Sequence, residues 1–260
     1  MKSVRLIGPG RAGRSLARAL SSSGYRVSGI LARRDDQRAA AEGVDILVIA
    51  TPDDAVAQVA AGVRPAPGCA VVHLAASLGL EVLGPHERRA SLHPLVPLPN
   101  PEVGAARLVG GIGFAVAGDP VAEELALALG GRPFAVAEAD RARYHAAACV
   151  AANHVVALLG QVERIAATTG VDLDAFLALS RAAIEDVAAL GPASALTGPA
   201  ARGDWATLER HRQALPPGER PGYLAGVALA SRLAGQSPST PRARAAEADG
   251  TRRSGVRVGV

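Results

Sequence analysis

A chain of 260 residues, 49% hydrophobic but only 3% aromatic, is long enough for one large domain or two modest ones with a core of Ala, Val and Leu. Its net charge of +4, with no basic stripe flanked by base-reading side chains, argues against nucleic acid as a partner. With only Cys69 and Cys149, no signal-peptide core before the first glycine motif, and no apolar run of the about 20 residues a membrane helix needs, the expected setting is a reducing cytoplasm without a membrane partner; the most apolar segment, 146–160, is interrupted by Asn153 and His154.

Short apolar runs at 4–7, 27–32, 46–50, 70–74, 112–117 and 133–136 alternate with helical patterns. That rhythm predicts α/β architecture, a parallel sheet with helices on both faces. Between the second and third runs, RRDDQRAAAEGVD leaves room for one short helix and no extra strand. From Asp140 the segment DRARYHAAACVAANHVVALLGQVERIAATTG has an Asp cap, no proline and a glycine stop near Gly170, which predicts one helix over 140–169, about 45 Å long. Its centre is apolar on nearly every face, so burial between other helices is expected. Further helices are predicted over 172–190, ended by Gly191-Pro192, over 205–215 with Asp204 as its cap, and over 223–234. The remainder, rich in Pro, Ser and Arg, has no apolar periodicity and is expected to be disordered. The chain thus divides into an α/β segment 1–137, an all-helical segment 138–235 and a tail 236–260.

The first run leads into GPGRAG, in which Gly8, Gly10 and Gly13 match G-x-G-x-x-G between a strand and a helix. In a dinucleotide site Gly8 makes the turn, Gly10 admits the pyrophosphate, Gly13 lets helix and strand pack closely, and the loop Gly8, Pro9, Gly10, Arg11, Ala12, Gly13 turns its helix amides toward phosphate. The alternative is a structural tight turn. Where an NAD site places an acid after the second strand, this chain has Arg33 and Arg34, two guanidiniums able to clamp a 2′-phosphate, so NADP is the expected cofactor; otherwise both are ordinary solvated charges. Thr51 and Pro52, in IATPDD at the end of the third run, should border the cofactor.

The glycine loop, ATPDD, SLHPL, RYHAAACVAANHVVALL and ALTGPAARGD resemble bacterial Rossmann-like oxidoreductases whose helical C-terminal half is a domain of unknown function, over about residues 4–215. The architecture is similar to that of the 6-phosphogluconate dehydrogenase, pyrroline-5-carboxylate reductase, prephenate dehydrogenase and ketopantoate reductase group. The resemblance implies NADP-linked redox chemistry on a small acid, in a homodimer formed largely by the helical half. Hydroxyacid dehydrogenases of this group carry Lys-x-x-x-Asn on a helix; in CVAAN, Asn153 fits and Cys149 stands in place of the lysine. HLAAS, from His73 to Ser77, departs from the group's Ser-Gly pair at Ala75 and Ala76.

Reduction of a carbonyl or imine needs a proton donor, and without the lysine the histidines are the available acids. His93 ranks first because SLHPL resembles the His-Pro of prephenate dehydrogenases, where the histidine contacts the reacting oxygen; a strand-end histidine bonded to backbone is the alternative. Asn153, read as a buried amide, and His145 lie eight residues apart on one helix face, about 12 Å along it, so they cannot grip the same small carbonyl. Either could instead be a satisfied polar group between helices. In TGPAARGD, Thr197 and Arg202 suit a substrate carboxylate, unless the loop is only a helix connection. His211 is expected at the surface. No metal is expected, since cysteines and histidines lack ligand spacing, and there is no serine-nucleophile elbow. The expected activity is an NADP-dependent oxidoreductase on a small keto or imino carboxylic acid, ketopantoate-like as first choice. A pyrroline-5-carboxylate-like imine reductase and a non-catalytic NADP-binding sensor or scaffold are the alternatives.

Overall fold

The computed structural model describes residues 1–236, so the expected tail lies, apart from Gln236, outside the described residues. The first half builds strands β1 (Ser3–Ile7), β2 (Arg26–Leu31), β3 (Ile46–Ile49), β4 (Ala70–His73), β5 (Arg88–Pro94), β6 (Gly113–Gly118) and β7 (Arg132–Ala135). Helices α1 (Arg11–Ser22), α2 (Asp53–Gly62), α3 (Pro101–Leu108) and α4 (Val121–Ala128) connect them. The strands form one seven-stranded sheet in the order β2-β1-β3-β4-β5-β6-β7. Helices cover both faces, as the apolar rhythm predicts. On one, Leu16 and Leu20 of α1, Leu108 of α3 and Leu125 of α4 pack on Leu6, Val48 and Leu92; on the other, Val56 and Ala60 of α2 join Ala40, Ala41 and Leu83 against Leu47, Ile49 and Val71.

The sheet is not wholly parallel. β6 runs antiparallel to β5, with Leu92 opposite Val116. Leu95 N–H donates to the Gly113 carbonyl at 2.9 Å, so the chain re-enters the sheet at the end where it left. Between them α3, capped by Asn100 Oδ1 accepting from Val103 N–H at 2.8 Å, returns against α1, where Gly104 makes room for Ser15. Apolar periodicity carries no strand direction, and this reversal is invisible to it. The short helix expected between β2 and β3 is also replaced by turns. Arg5 Nη1 donates to the carbonyls of Ala40 and Glu42 at 2.8 and 3.1 Å, while the Asp35 and Asp36 carboxylates accept from Ala32 N–H and Arg38 N–H. These side chains take the backbone groups that a helix would pair internally.

The helix predicted over 140–169 forms as α5 (Arg141–Cys149), a π-helical turn Val150–His154 and α6 (Val155–Ala166). It is not buried. Val150, Val156 and Leu158 are 55%, 71% and 53% exposed. By length and composition alone the 29-residue helix Glu138–Ala166 is long and apolar enough to cross a membrane. Its neighbours Ala, Val and Leu outweigh the Asn153-His154 interruption. Asp140 makes no side-chain cap and pairs with Arg143 at 2.8 Å.

Two compact units are present, Met1–Asn153 and one beginning at His154. Among its described residues the second has helices and no strand: α7 (Leu173–Leu190), α8 (Pro192–Ala195), α9 (Pro199–Arg202), α10 (Trp205–Ala214) and α11 (Arg220–Leu233) follow α6. Asp204 caps α10 as predicted, accepting from Thr207 N–H at 3.1 Å. The last helix starts at Arg220 rather than at 223, because Glu219 before it is fixed by Arg164 at 2.6 and 3.1 Å.

Candidate active site

The glycine loop joins β1 to α1 as the sequence predicts. Gly8 has φ +110°, and a Cβ there would strike the Ala50 carbonyl. A Cβ on Gly13 would collide with the Gly8 carbonyl oxygen, whereas a Cβ on Gly10 would meet nothing within 4 Å. Gly8 and Gly13 are therefore needed for internal packing, and Gly10 leaves open the space before the helix. Gly10 is the N-cap of α1 and has no capping side chain, so the first-turn amides of Arg11, Ala12 and Gly13 face outward without a protein acceptor from the cap.

A cleft of about 1050 Å³ opens at the carboxyl ends of β1, β2 and β3. Gly8, Pro9, Gly10, Arg33, Arg34, Thr51 and Pro52 all line it, with Asp54 and Gln58 of α2 among the others; Arg11, Ala12 and Gly13 adjoin it without lining it. Arg33 and Arg34 are exposed. Neither guanidinium makes a hydrogen bond or ion pair among the described residues, since Asp35 is engaged by Ala32 N–H. Thr51 Oγ1 is buried without a hydrogen-bond partner among the described residues. Free cations, uncapped helix amides and an orphaned hydroxyl suit a phosphorylated dinucleotide.

Further along the same sheet edge, Ile7, Ile49, His73 and Ser91 stand side by side across β1, β3, β4 and β5. With strands about 4.8 Å apart, His73 lies roughly 10 Å from Ile7, and His93 two residues beyond Ser91 toward the carboxyl end. His73 is fully buried; its Nδ1 accepts from Ala75 N–H at 3.2 Å and its Nε2 has no hydrogen-bond partner among the described residues. Burial, reinforced by the Arg141 charge, holds its pKa down to about 4.

Around half-buried His93, α5 brings a group of side chains that sequence reasoning only partly found. The Tyr144 hydroxyl is 2.8 Å from His93 Nδ1, with the rings edge to face at 5.6 Å. His145 meets His93 edge to face at 6.3 Å, and its Nε2 is 3.7 Å from Cys149 Sγ. Its Nδ1 is buried and has no partner among the described residues. Arg141, 4% exposed, donates to Ser91 Oγ at 3.3 Å and to Glu138 at 3.1 Å. Burial, then the facing His145, lowers the His93 pKa to about 4, with Arg141 and His73 acting the same way and Asp53 opposing. His93 is thus a neutral imidazole near pH 7, not the imidazolium that the word acid suggests. Burial raises the Tyr144 pKa and Arg141 opposes it.

Asn153 does not join this group. It lies in the π-turn and is exposed, not a buried amide, because the wide turn adds a residue and breaks the simple helical spacing from His145. Thr197 and Arg202 are exposed in the helical unit, Arg202 at the end of α9. His211 is at the surface as expected, bonded to Tyr223 at 2.8 Å. Tyr144 and Arg141 were missed. Their signal was present in RARYHAAAC, where Arg141, Tyr144, His145 and Cys149 follow i, i+3, i+4, i+8 spacing on one helix face.

The sheet order, the open glycine loop and the helices that follow the sheet are together the features by which the chain can be compared with known proteins. Residues 113–228 match DUF2520, a domain of unknown function. No curated protein matches the chain. Among solved structures it is similar to protein TM1727 from Thermotoga maritima, at 24% identity and TM-score 0.67, over 89% of this chain and 98% of that one. Protein BF3122 from Bacteroides fragilis, proposed to be an NADP oxidoreductase, is similar at 20% identity and TM-score 0.73 over 89% and 98%. Plasmodium falciparum pyrroline carboxylate reductase, solved with NADP bound, is similar at 12% identity and TM-score 0.60 over 90% and 98%. The DUF2520 match thus begins at β6 of the sheet and runs through the helices, and the likeness to these structures establishes a Rossmann-like fold.

Proposed function

We propose that the protein is an NADP-dependent oxidoreductase acting on a small keto or imino carboxylic acid. The observation that carries this reading is the cleft at the strand ends, in which a glycine loop with open space at Gly10 lies beside two guanidiniums, Arg33 and Arg34, that have no partner among the described residues. The first-turn amides of α1 would receive the pyrophosphate and the two arginines a 2′-phosphate. When bound, NADPH supplies hydride. His93, at the carboxyl end of β5, would face the reacting centre and return a proton to it, with His145 and the buried Arg141 charge around it. The NADP bound to the pyrroline carboxylate reductase of the same fold supports the choice of cofactor.

Isothermal titration with NADPH and NADH tests this. NADPH should bind at least tenfold more tightly, a difference of about 1.4 kcal/mol, and Arg33→Ala with Arg34→Ala should abolish the preference. Equal affinities in the unaltered chain would reject the assignment. We also propose that the chain forms a homodimer through its helical unit, a reading supported by exposed Val156, Leu179 and Ile184 at 71%, 67% and 61%.

A further inference from the structure

We propose that Tyr144 is a positioning residue that fixes His93 in the tautomer carrying its proton on Nε2 and stands behind it as the second member of a proton-donor chain. The inference rests on the oxidoreductase reading above and extends it to a residue on α5. Tyr144 Oη and His93 Nδ1 are 2.8 Å apart, and one of the two must donate. Among the described residues the Tyr144 hydroxyl has no other hydrogen-bond partner, so if Nδ1–H were the donor the phenolic proton would have no protein acceptor there. A phenol is also the better donor and an unprotonated imidazole nitrogen the better acceptor. The bond therefore runs from Tyr144 O–H to Nδ1, which places the ring proton on Nε2. Nε2 has no protein partner among the described residues and is not among the sealed, unsatisfied atoms, so it is reachable from outside. Phe134, edge to face with Tyr144 at 5.9 Å, limits rotation of the phenol.

The arrangement answers a difficulty raised by the surroundings of His93. With His145, His73 and Arg141 as neighbours and only Asp53 opposing, the ring enters the reaction neutral. A neutral imidazole that gave up Nε2–H alone would become an anion, which is costly in a buried site. In reduction of a carbonyl, the carbon accepts hydride from NADPH and the C=O π pair moves to oxygen. His93 Nε2–H gives its proton to that oxygen while Nδ1 takes the Tyr144 proton, so the imidazole is neutral before and after. The charge ends on the phenolate, near the Arg141 guanidinium; a proton from solvent then enters at the reachable Nε2 as Nδ1–H returns to the phenolate, which restores the starting tautomer. The transfer runs downhill, because an alkoxide, roughly as basic as hydroxide, is a far stronger base than a phenolate.

The test is nitrogen NMR of the full chain labelled in its six histidines, with the His93 signals identified by their loss in His93→Gln. At pH 7 the unaltered protein should show His93 protonated at Nε2, with Nδ1 shifted by hydrogen bonding. Tyr144→Phe should remove that shift and mix the two tautomers; 3-fluorotyrosine at position 144, a stronger donor, should shift Nδ1 further in the same direction. A proton on Nδ1 in the unaltered chain, or no response of His93 to the fluorotyrosine, overturns the proposal even if the phenylalanine variant fails to fold. NADPH affinity, measured in the same samples, should stay within about threefold, and NADPH oxidation with ketopantoate or pyrroline-5-carboxylate should lose kcat about a hundredfold with little change in KM. Failure of NADPH to bind the unaltered protein would reject the oxidoreductase reading while leaving the tautomer result standing.

Discussion

His73 makes the fold sensitive to acid in a way that can be worked out from its surroundings. It is fully buried at the end of β4 and held at a pKa of about 4, against 6.5 in the unfolded chain, by burial first and the Arg141 charge second. A depressed histidine pKa means that the unfolded chain binds the proton more readily, so stability is full above about pH 6.5 and is lost as pH falls toward 4. From pH 7 to pH 5 the loss is RT ln of the ratio of (1 + 10^1.5) to (1 + 10^−1), less the about 0.2 kcal/mol already lost at pH 7, or about 2 kcal/mol. At an m-value of about 2 kcal/mol/M that moves the urea midpoint by roughly 1 M. The perturbation is His73→Asn, whose Oδ1 can still accept from Ala75 N–H. Its absolute stability should fall through the cavity it leaves, but its midpoint should change between pH 7 and pH 5 by about 1 M less than that of the unaltered protein. Equal pH dependence in the two chains, followed by circular dichroism, would refute the assignment of a neutral buried His73.

His93→Gln should lower kcat by about 10² to 10⁴ while leaving the NADPH dissociation constant within about threefold, measured by NADPH oxidation and calorimetry; near-normal kcat would remove His93 from the chemistry. Gly13→Ala should cost about 1 to 3 kcal/mol in a urea titration, because the obstructing atom is the backbone oxygen of Gly8 rather than a movable side chain. Asp204→Ala should destabilise by about 1 kcal/mol through loss of the bond to Thr207 N–H, again read from a denaturation midpoint. Light scattering at micromolar concentration should give twice the mass of one chain, and charged substitutions at Val156 and Leu179 should halve it.

What the sequence by itself determined was whatever depends on neighbours within a few residues. The apolar runs located six of the seven strands, and SLHPL marked the end of the seventh; the G-x-G-x-x-G spacing located the turn at Gly8 and the tight packing at Gly13, and Asp204 was readable as a cap. These features follow from local periodicity, backbone sterics and side-chain reach, which a linear chain displays directly. The reversal of β6, by contrast, depends on where α3 lands on α1, and the loss of the helix after β2 on Arg5, more than 30 residues away, taking its carbonyls. Tertiary structure alone also decided that His93 is neutral, since its pKa is set by burial first and then by the ionisable groups that folding brings around it, His145 and Arg141 of α5 among them. It replaced Asn153 with Tyr144 and His145 as the helix residues beside His93 for a related reason: the π-turn shifts the helical phase, and only folding brings the start of α5 against the end of β5.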